Sequence, residues 1–476
     1  MATPDDDRSS APLARLLLAL LLIGALASPA LPVEAAWGIL WIGSWPAVAR
    51  AVAGLVALLT LWPASNRWLR ETAARSIDRL SPAARTVLAL VAFAGLAVSF
   101  WLARSRTLYG DGESTISILT DGSPPWNWKE PLDRFITTHV YLFLNARFGF
   151  PPGESIAAVS CTAGLIWLTA VVGFVRSVAK DLHHRLWIAA FLLSLGTMQL
   201  FFGNIENYSL LGAGILLYLW AGNAYLEGRV PFAVPCFVLA VTSWIHLSAP
   251  WLGPTLVVIF VLRVFGEPGP PDTPVRLHLR EGWLVDGLRQ GIGGVVAAAI
   301  PTGLALWLGS HLMGSATGLT ITRFGGGDGK LWVPLTRIET PFEKFTMFSA
   351  AHFAATLNEL LLIAGPAFLV CIAALASLRP ARRMLRRDVI FLASCVFMTG
   401  CYIFFFNPDM AVLNVGILNE WDLFSLPAPP LAALAGVLLT QVEKDADRRG
   451  QIALPAVTIG ALLAAAWILH NARLTG

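Results

Sequence analysis

Long apolar segments recur along the whole chain, and they constrain its fold more than any other feature of the sequence. A helix that spans a membrane needs about 20 mostly apolar residues, because each backbone amide must find its partner inside the helix across roughly 30 Å of hydrocarbon. About thirteen segments of the sequence meet this requirement. Only 13% of the 476 residues are charged, whereas soluble domains carry about 25%. The sequence therefore predicts an all-α polytopic membrane protein.

The predicted spans leave only short connections, so no loop can hold a nucleotide-binding domain of about 100 residues. The first span is favoured over a cleaved signal peptide, because three aspartates at positions 5–7 disrupt the basic start that a signal peptide needs. The spans are predicted at 13–31, 37–62, 86–103, 154–175, 186–203, 208–226, 231–247, 249–264, 291–310, 352–378, 389–406, 423–440 and 453–470.

Clusters of arginine set the predicted orientation, since short cytoplasmic loops are rich in Lys and Arg. Such clusters occur at 67–85, 176–185, 276–289 and 379–387. We therefore assign these loops to the cytoplasm. By alternation, the outer segments are 104–153, 311–350 and 407–422, together with the short turn at 204–207.

Two carboxylates follow directly after the predicted span 86–103, in the sequence Gly110-Asp111-Gly112-Glu113. This placement holds a candidate catalytic base at the membrane surface, where a water-borne acceptor can meet a membrane-borne donor. The alternative is a solvated turn, for which Gly-Asp-Gly is well suited.

An amphipathic helix is predicted from Pro131 to Phe148, because apolar residues recur there with helical spacing and proline suits the first helical position. We expect this helix to lie in the membrane interface, with Trp126 and Trp128 as anchors. Lys129, directly before the helix, is a candidate ligand for a phosphate. Alternatively, its long side chain only reaches towards lipid headgroups.

Further candidate residues lie in the other predicted outer segments. Each also has an ordinary structural explanation, such as helix capping, hydrogen-bonded packing or a solvated surface. The candidates for a substrate pocket are Glu206, Asn207, Tyr208, His246, Glu420 and Asp422. The candidates for a second phosphate ligand are Arg323 and Arg337, in an outer loop whose GGGDGK sequence lacks the pattern of a P-loop.

Motifs for metals and cofactors do not occur in the sequence. It contains no HExxH or CxxC pattern, and its five cysteines fall in or beside apolar runs, as small core residues do. We therefore predict no bound metal and no cofactor, although whether a divalent cation takes part is left open. Membrane lipids are expected partners, and nucleic acid is not, given a net charge of only +4.

The segment 109–132 resembles the GT-C superfamily of membrane glycosyltransferases, in particular the protein mannosyltransferase and aminoarabinose transferase type. Members often carry an acidic pair at the end of a span and a Lys-Pro-Pro-Leu motif before an amphipathic helix. Here the pattern is Asp111-Gly-Glu113, followed by Lys129-Glu130-Pro131-Leu132. Because a glycine splits the pair, either acid could take the catalytic position. We favour Asp111, which comes first after the span.

The resemblance implies a GT-C-like catalytic module over 86–310. It follows a pair of spans and a basic loop (1–85), and it precedes an outer loop and the last spans (311–476). The implied reaction moves a hexosyl or pentosyl group from a polyprenyl-phosphate donor to a lipid, glycan or protein hydroxyl, with inversion. The departing phosphate is a stable anion, so one base and one cation suffice without the second carboxylate of ordinary glycoside hydrolysis.

The resemblance and the composition together predict a location in the bacterial plasma (inner) membrane, with the site on the extracytoplasmic face. Two alternatives stay open on the sequence. A transporter or flippase of lipid-linked sugars would show polar residues along a path between its spans, and such residues are nearly absent. A non-catalytic membrane scaffold would tolerate substitution of Asp111 and Lys129.

Overall fold

The computed structural model of the chain describes residues 9–266, 282–313, 331–340, 343–378, 386–407, 418 and 420–473. Within these residues the regular structure is helical, apart from isolated bridge positions such as the pair of Trp332 and Phe406. The predicted all-α class is confirmed.

The described part of the chain contains seventeen α-helices and several short 3₁₀ segments. The helices are α1 (Ala11–Leu26), α2 (Val33–Ala36), α3 (Ala47–Leu61), α4 (Pro63–Asp78), α5 (Pro82–Leu102), α6 (Gly112–Thr120), α7 (Pro131–Phe148), α8 (Pro152–Val178), α9 (Leu182–Leu193), α10 (Ser209–Leu226), α11 (Ala233–Ile245), α12 (Gly253–Val264), α13 (Trp283–Met313), α14 (Ala350–Ala376), α15 (Arg387–Phe405), α16 (Ala428–Val442) and α17 (Ala446–Asn471).

Among the described residues, eight helical segments are long and apolar enough to cross a membrane. Helices α3 and α4 form a pair bent by 88°, which adds a ninth span if the two halves act as one. Three further apolar helical segments are shorter, namely α1, α11 and the segment Ala249–Val264. The chain is therefore a multi-pass membrane protein, whereas the count of thirteen spans stays a prediction.

Several predicted spans are not continuous helices, and two of them lie at 186–203 and 37–62. In the region 186–203, helix α9 ends at Leu193 and a 3₁₀ segment follows at Gly196–Phe201. Gly196 packs so closely on α14 that an added Cβ would lie 1.8 Å from the Leu362 carbonyl oxygen. In the region 37–62, the long helix begins only at Ala47. At 186–203, the α-helix is therefore interrupted where the chain packs tightly against α14.

The centre of the bundle lies around α10 and α16. In the segment Leu423–Val442, which includes α16, 94% of the apolar window is buried, against 6% in α5. Helix α10 is also largely enclosed, at 78%. The most interior helices thus begin directly after the polar turn at 204–208 and after Asp422, so both of these segments are fixed by the core.

Helix α7 begins at Pro131 and ends at Phe148, as predicted. Its buried side chains include polar ones, Asp133, Thr137 and Thr138, while apolar residues near its C-terminal end are exposed. The helix therefore turns polar groups towards the protein and apolar groups outward. This pattern suits an interfacial helix, but its place in the membrane stays a prediction.

The tryptophans before α7 correct one expectation. Trp126 is only 3% exposed, and its ring packs edge-to-face on Trp128. Both rings lie against α13 at Gly309, where an added Cβ would come within 2.6 Å of Trp128. Trp126 is therefore packed inside the protein, and its predicted role as an interfacial anchor is wrong.

The division at residues 85 and 310 stays a prediction. Helices α1 and α3 both pack against α17 at the other end of the chain. Near the start of α1, the backbone amide and the hydroxyl of Ser10 each donate to Glu443 at 2.6 Å. The N-terminal and C-terminal parts consequently share one core.

Candidate active site

Asp111 owes its position to the two glycines that flank it. Gly110 has a φ of +50°, a conformation that favours glycine. At Gly112, an added Cβ would lie 3.0 Å from the Ile205 carbonyl oxygen, so the backbone before α6 packs directly on the turn at 204–208. The Asp111 side chain makes no capping hydrogen bond to α6 and is exposed. Its carboxylate is thus not used to cap the helix.

Asn204 and Asp422 join the starts of the two most interior helices. The Asn204 side-chain amide donates to Asp422 Oδ2 at 3.0 Å, and the Leu423 backbone amide donates to Oδ1 at 3.1 Å. The Asn204 carbonyl oxygen accepts from Ser160 Oγ at 2.6 Å. Asp422 is 1% exposed, so its carboxyl group is held rigidly inside the protein.

Burial changes the protonation of the inner acids. It raises the pKa of Asp422 to about 7. The pKa of Glu206 lies well above its ordinary value, first because of burial and then because of Asp422, Asp111 and Glu420. Burial therefore favours the protonated form of Glu206, and its Oε1 has no hydrogen-bond partner. A protonated carboxyl group here can donate a hydrogen bond to a bound hydroxyl.

Tyr208 and His246 form an aromatic wall beside these acids, with ring centroids 5.0 Å apart. The Ser248 backbone amide donates to His246 Nδ1 at 3.1 Å, so the neutral ring carries its proton on Nε2. Burial, and then the charge of Lys129, lower the pKa of His246 to about 4. His246 is thus a neutral hydrogen-bond donor at physiological pH.

Lys129 and Arg134 bring positive charge to the acids. The Lys129 carbonyl oxygen accepts from the Leu247 backbone amide at 3.0 Å, which ties the loop before α7 to the segment after His246. Burial lowers the pKa of Arg134, and Glu130, Asp133 and Asp111 oppose this change. Nη1 of Arg134 is buried without a partner. The site therefore contains one exposed and one half-buried cation.

Most of the predicted site residues come together. Electrostatic interactions or ring contacts connect Asp111, Lys129, Glu206, Tyr208, His246, Glu420 and Asp422. Asn207 is half-buried in the same turn. We call this set, together with Glu130 and Arg134, the acidic cluster.

Three predicted residues lie elsewhere or outside the described residues. Glu113 is exposed in the first turn of α6. Arg337 is exposed on the segment 331–340, where it lines a cavity of about 410 Å³ together with Trp332 and Glu339. Arg323 lies outside the described residues.

Sequence reasoning missed several members of the site. Arg134 was not singled out, and Glu130 was considered only as a departure from the family motif. Glu359 was also missed: it is 1% exposed in the middle of the apolar helix α14, its two oxygens have no partner, and it interacts electrostatically with Asp422. A carboxylate inside an apolar run is itself a signal, because such residues are costly in a membrane.

The acidic cluster offers a base, cations and hydrogen-bond donors within one site. Among the described residues, no group of three His, Cys, Asp or Glu side chains is arranged to hold a metal ion. The base, the cations and the donors of the cluster are suited to proton transfer and charge neutralisation.

The arrangement of helices is similar to that of a protein of known structure. ArnT from Cupriavidus metallidurans, in a crystal structure with undecaprenyl phosphate, matches with a TM-score of 0.51 over 81% of this chain and 77% of that chain, at 12% identity. The chain has a GT-C fold. This confirms the predicted GT-C-like architecture. The sequence matches no known family profile, and no curated protein matches it significantly.

Two weaker likenesses accompany this match. The same ArnT in the apo state matches with a TM-score of 0.47, at 11% identity, over 80% of this chain and 77% of that one. An oligosaccharyltransferase from Archaeoglobus fulgidus, tethered to an acceptor peptide, matches with a TM-score of 0.46, at 13% identity, over 80% of this chain and 55% of that one. The assignment of the fold depends on the first match alone.

Proposed function

We propose that the chain is a glycosyltransferase that moves a hexosyl or pentosyl group from a polyprenyl-phosphate donor to a hydroxyl of a lipid, glycan or protein. The observation that carries the proposal is the contrast within the acidic cluster. Asp111 is exposed to water, whereas Glu206 and Asp422 are buried and hold protons more tightly than ordinary carboxyl groups. Asp111 is thus the member best placed to accept a proton from an incoming acceptor.

In the proposed reaction, the Asp111 carboxylate accepts the proton of the acceptor hydroxyl while its oxygen attacks the anomeric carbon. The bond between that carbon and the phosphate oxygen breaks, and its electron pair leaves with the phosphate. Lys129 and Arg134 neutralise the leaving group. Arg323 and Arg337 stay predicted ligands of the same phosphate. A single displacement inverts the anomeric configuration.

The inner acids have a different proposed role. Glu206 and Asp422 donate hydrogen bonds to hydroxyl groups of the sugar or the acceptor, and neutral His246 adds a further donor. Because the raised pKa values give Glu206 and Asp422 less negative charge than two ordinary carboxylates would carry, they repel the phosphate less strongly. ArnT, whose fold this chain shares, was crystallised with undecaprenyl phosphate, which supports a lipid phosphate as the donor's leaving group.

The decisive experiment incubates the purified protein with a panel of undecaprenyl-phosphate-linked hexoses and pentoses. Radiolabel that leaves the donor and appears in an acceptor or in free sugar supports the proposal, and the anomeric configuration of the product tests inversion. The Asp111→Asn variant should lose transfer while its thermal midpoint is unchanged. Asp121→Asn, which alters another exposed acid of the same loop, is the matched control. Full transfer by Asp111→Asn would remove Asp111 as the base.

The location is proposed as the bacterial plasma membrane, with the acidic cluster on the extracytoplasmic face. A membrane-impermeant maleimide should label a cysteine engineered at position 111 in intact spheroplasts. A cysteine at position 185 should be labelled only after lysis. The reverse pattern would put the cluster inside the cell, where an extracytoplasmic acceptor could not reach it.

A transporter of lipid-linked sugars is the second candidate, and Glu359 is the observation that favours it. A buried carboxylate within a membrane span is typical of proton-coupled transport. Proteoliposomes that translocate a fluorescent lipid-linked sugar, and lose this ability in the Glu359→Gln variant, would support transport. Glycosyl transfer without translocation would favour the enzyme over the transporter.

A further inference from the structure

A second charged cavity lies at the opposite, predicted cytoplasmic ends of α8, α10 and α16. Its volume is about 360 Å³. Five Lys and Arg side chains and two acids line it, a formal charge of +3 with His184 neutral. One of the cations, Arg386, also pairs with the buried Asp388 behind the lining. The lining cations are Arg176, Lys180, Arg185, Arg229 and Arg386.

The cations reach this cavity from distant parts of the chain. Arg176 and Arg185 flank the turn between α8 and α9, Arg229 follows α10, and Arg386 precedes α15. The preference of cytoplasmic loops for Lys and Arg explains why each loop is basic. It does not require the basic residues of three separate loops to line one concave site.

The two acids in the cavity are already engaged. Asp181 caps α9, because its carboxylate accepts from the backbone amides of His183 at 3.0 Å and of His184 at 3.1 Å. Glu227 pairs with Arg229 at 2.8 Å. The negative charge of the cavity is therefore partly satisfied by fixed donors.

Two of the arginines differ in how firmly their side chains are held. Arg185 donates through Nε to the Ala179 carbonyl oxygen at 2.8 Å, which fixes the plane of its guanidinium group. Arg176 is exposed and forms no ion pair with the residues that the structure describes. A planar, oriented guanidinium group beside a free one suits the tetrahedral oxygens of phosphate.

His184 lies close to positive charges in the cavity. Its pKa is lowered first by burial and then by the positive charge of Arg449, with Arg386 contributing in the same direction. Its Nε2 atom is buried without a partner. Ile188 and Val437 add apolar lining. The cavity thus offers both positive charge and apolar contact.

We propose that this cavity binds a phosphate-bearing anion, either the headgroup of an anionic lipid or a soluble phosphate compound. A basic pocket between helices at a cytoplasmic membrane surface is a common form of lipid headgroup site. The cavity is larger than a single phosphate group, so it also has room for the glycerol or second phosphate attached to it. This proposal does not depend on the proposed glycosyl transfer.

The test uses the full-length protein and two probes. Reconstitution in nanodiscs of phosphatidylglycerol and phosphatidylcholine, followed by native mass spectrometry, counts retained anionic lipid. Titration with inorganic phosphate at constant ionic strength, read as a shift of the thermal midpoint, measures the soluble ligand. Retention of phosphatidylglycerol identifies a headgroup, and a midpoint shift with phosphate alone identifies a soluble ligand.

The variant Arg176→Gln/Arg185→Gln/Arg229→Gln should weaken whichever probe binds by at least tenfold. The control Arg75→Gln/Arg79→Gln/Arg289→Gln removes the same charge from exposed arginines on the same predicted face and should bind as the wild type does. Arg176→Gln alone, at an exposed position, serves if the triple variant does not fold. Equal binding by the cavity and control variants, or no binding of either probe, would overturn the proposal.

Discussion

The acidic cluster contains an exposed part and a buried part, and the two differ in what their charges can do. Asp111 and Lys129 lie at the water-accessible surface, on loops held by glycines and backbone hydrogen bonds. Glu206 and Asp422 lie inside the protein at the starts of the two most interior helices. We therefore expect ionic chemistry in the outer part, whereas the raised pKa values of Glu206 and Asp422 favour hydrogen bonding by the inner part.

The strongest test of this division replaces one acid in each part by its amide. Asp111→Asn should lower the rate of transfer by about 10²–10⁴-fold, because a general base is removed. Glu206→Gln should keep the rate within about threefold, because the protonated acid and the amide both donate a hydrogen bond. Steady-state kinetics of the two purified variants make the comparison. Similar losses in both would mean that Glu206 acts as a charged group.

The next effect concerns the outer cation. Lys129→Met should lower kcat/KM for the lipid donor by about 10²-fold, because the leaving phosphate loses one of its cations. Since Lys129 is exposed, the thermal midpoint should not change. Arg147→Gln removes an exposed charge at the far end of α7 and serves as the control. Wild-type kinetics in the Lys129→Met variant would show that other residues bind the leaving phosphate.

A smaller loss should follow from moving Asp111 without removing it. Gly112→Ala would place a methyl group 3.0 Å from the Ile205 carbonyl oxygen, so the backbone before α6 must shift. We expect about a tenfold lower rate, in line with the sensitivity of catalysis to small displacements. Gly153→Ala is matched, because its added methyl group would meet the Ile205 side chain at an ordinary 3.5 Å. Equal activity in both variants would show that Asp111 tolerates this displacement.

The buried acids of the inner part should instead make the stability of the protein depend on pH. Because the pKa of Asp422 is raised to about 7 by burial, the folded protein retains a proton that the unfolded chain releases between pH 4 and 7. Stability should therefore fall as the pH rises through this range and level off above it. Asp422→Asn should reduce the difference in unfolding free energy between pH 5 and pH 8 by about 4 kcal/mol at most. Thermal unfolding in detergent at the two pH values measures this difference. A slope unchanged in the variant would assign the effect to other buried acids, such as Glu206.

Much of the fold was readable from the sequence because apolar length alone predicts membrane helices. In the part of the chain that the structure describes, eight segments have the length and hydropathy of spans, and α7 has the predicted bounds. The errors occur where packing overrides hydropathy. At Gly196 and at Gly309, side chains or carbonyl groups of distant helices approach the backbone, and nothing in the local sequence reveals these contacts.

The site was partly readable for a similar reason. Acids at the ends of spans stand out against apolar surroundings, so Asp111, Glu206 and Asp422 could be selected before their proximity was known. Arg134 could not be selected, because its role depends on which face of α7 turns inward. Protonation was also hidden, since the buried state of Glu206 arises from the fold and not from its neighbours in the sequence.

The hydrogen bond between Asn204 and Asp422 links the starts of α10 and α16, and these helices form the interior of the bundle. Any change in their spacing would alter both inner acids at once. In the proposed glycosyltransferase, adaptation to a larger or smaller sugar should therefore occur in peripheral elements, such as α5 and the segment 331–340, which can vary while the inner wall keeps its dimensions.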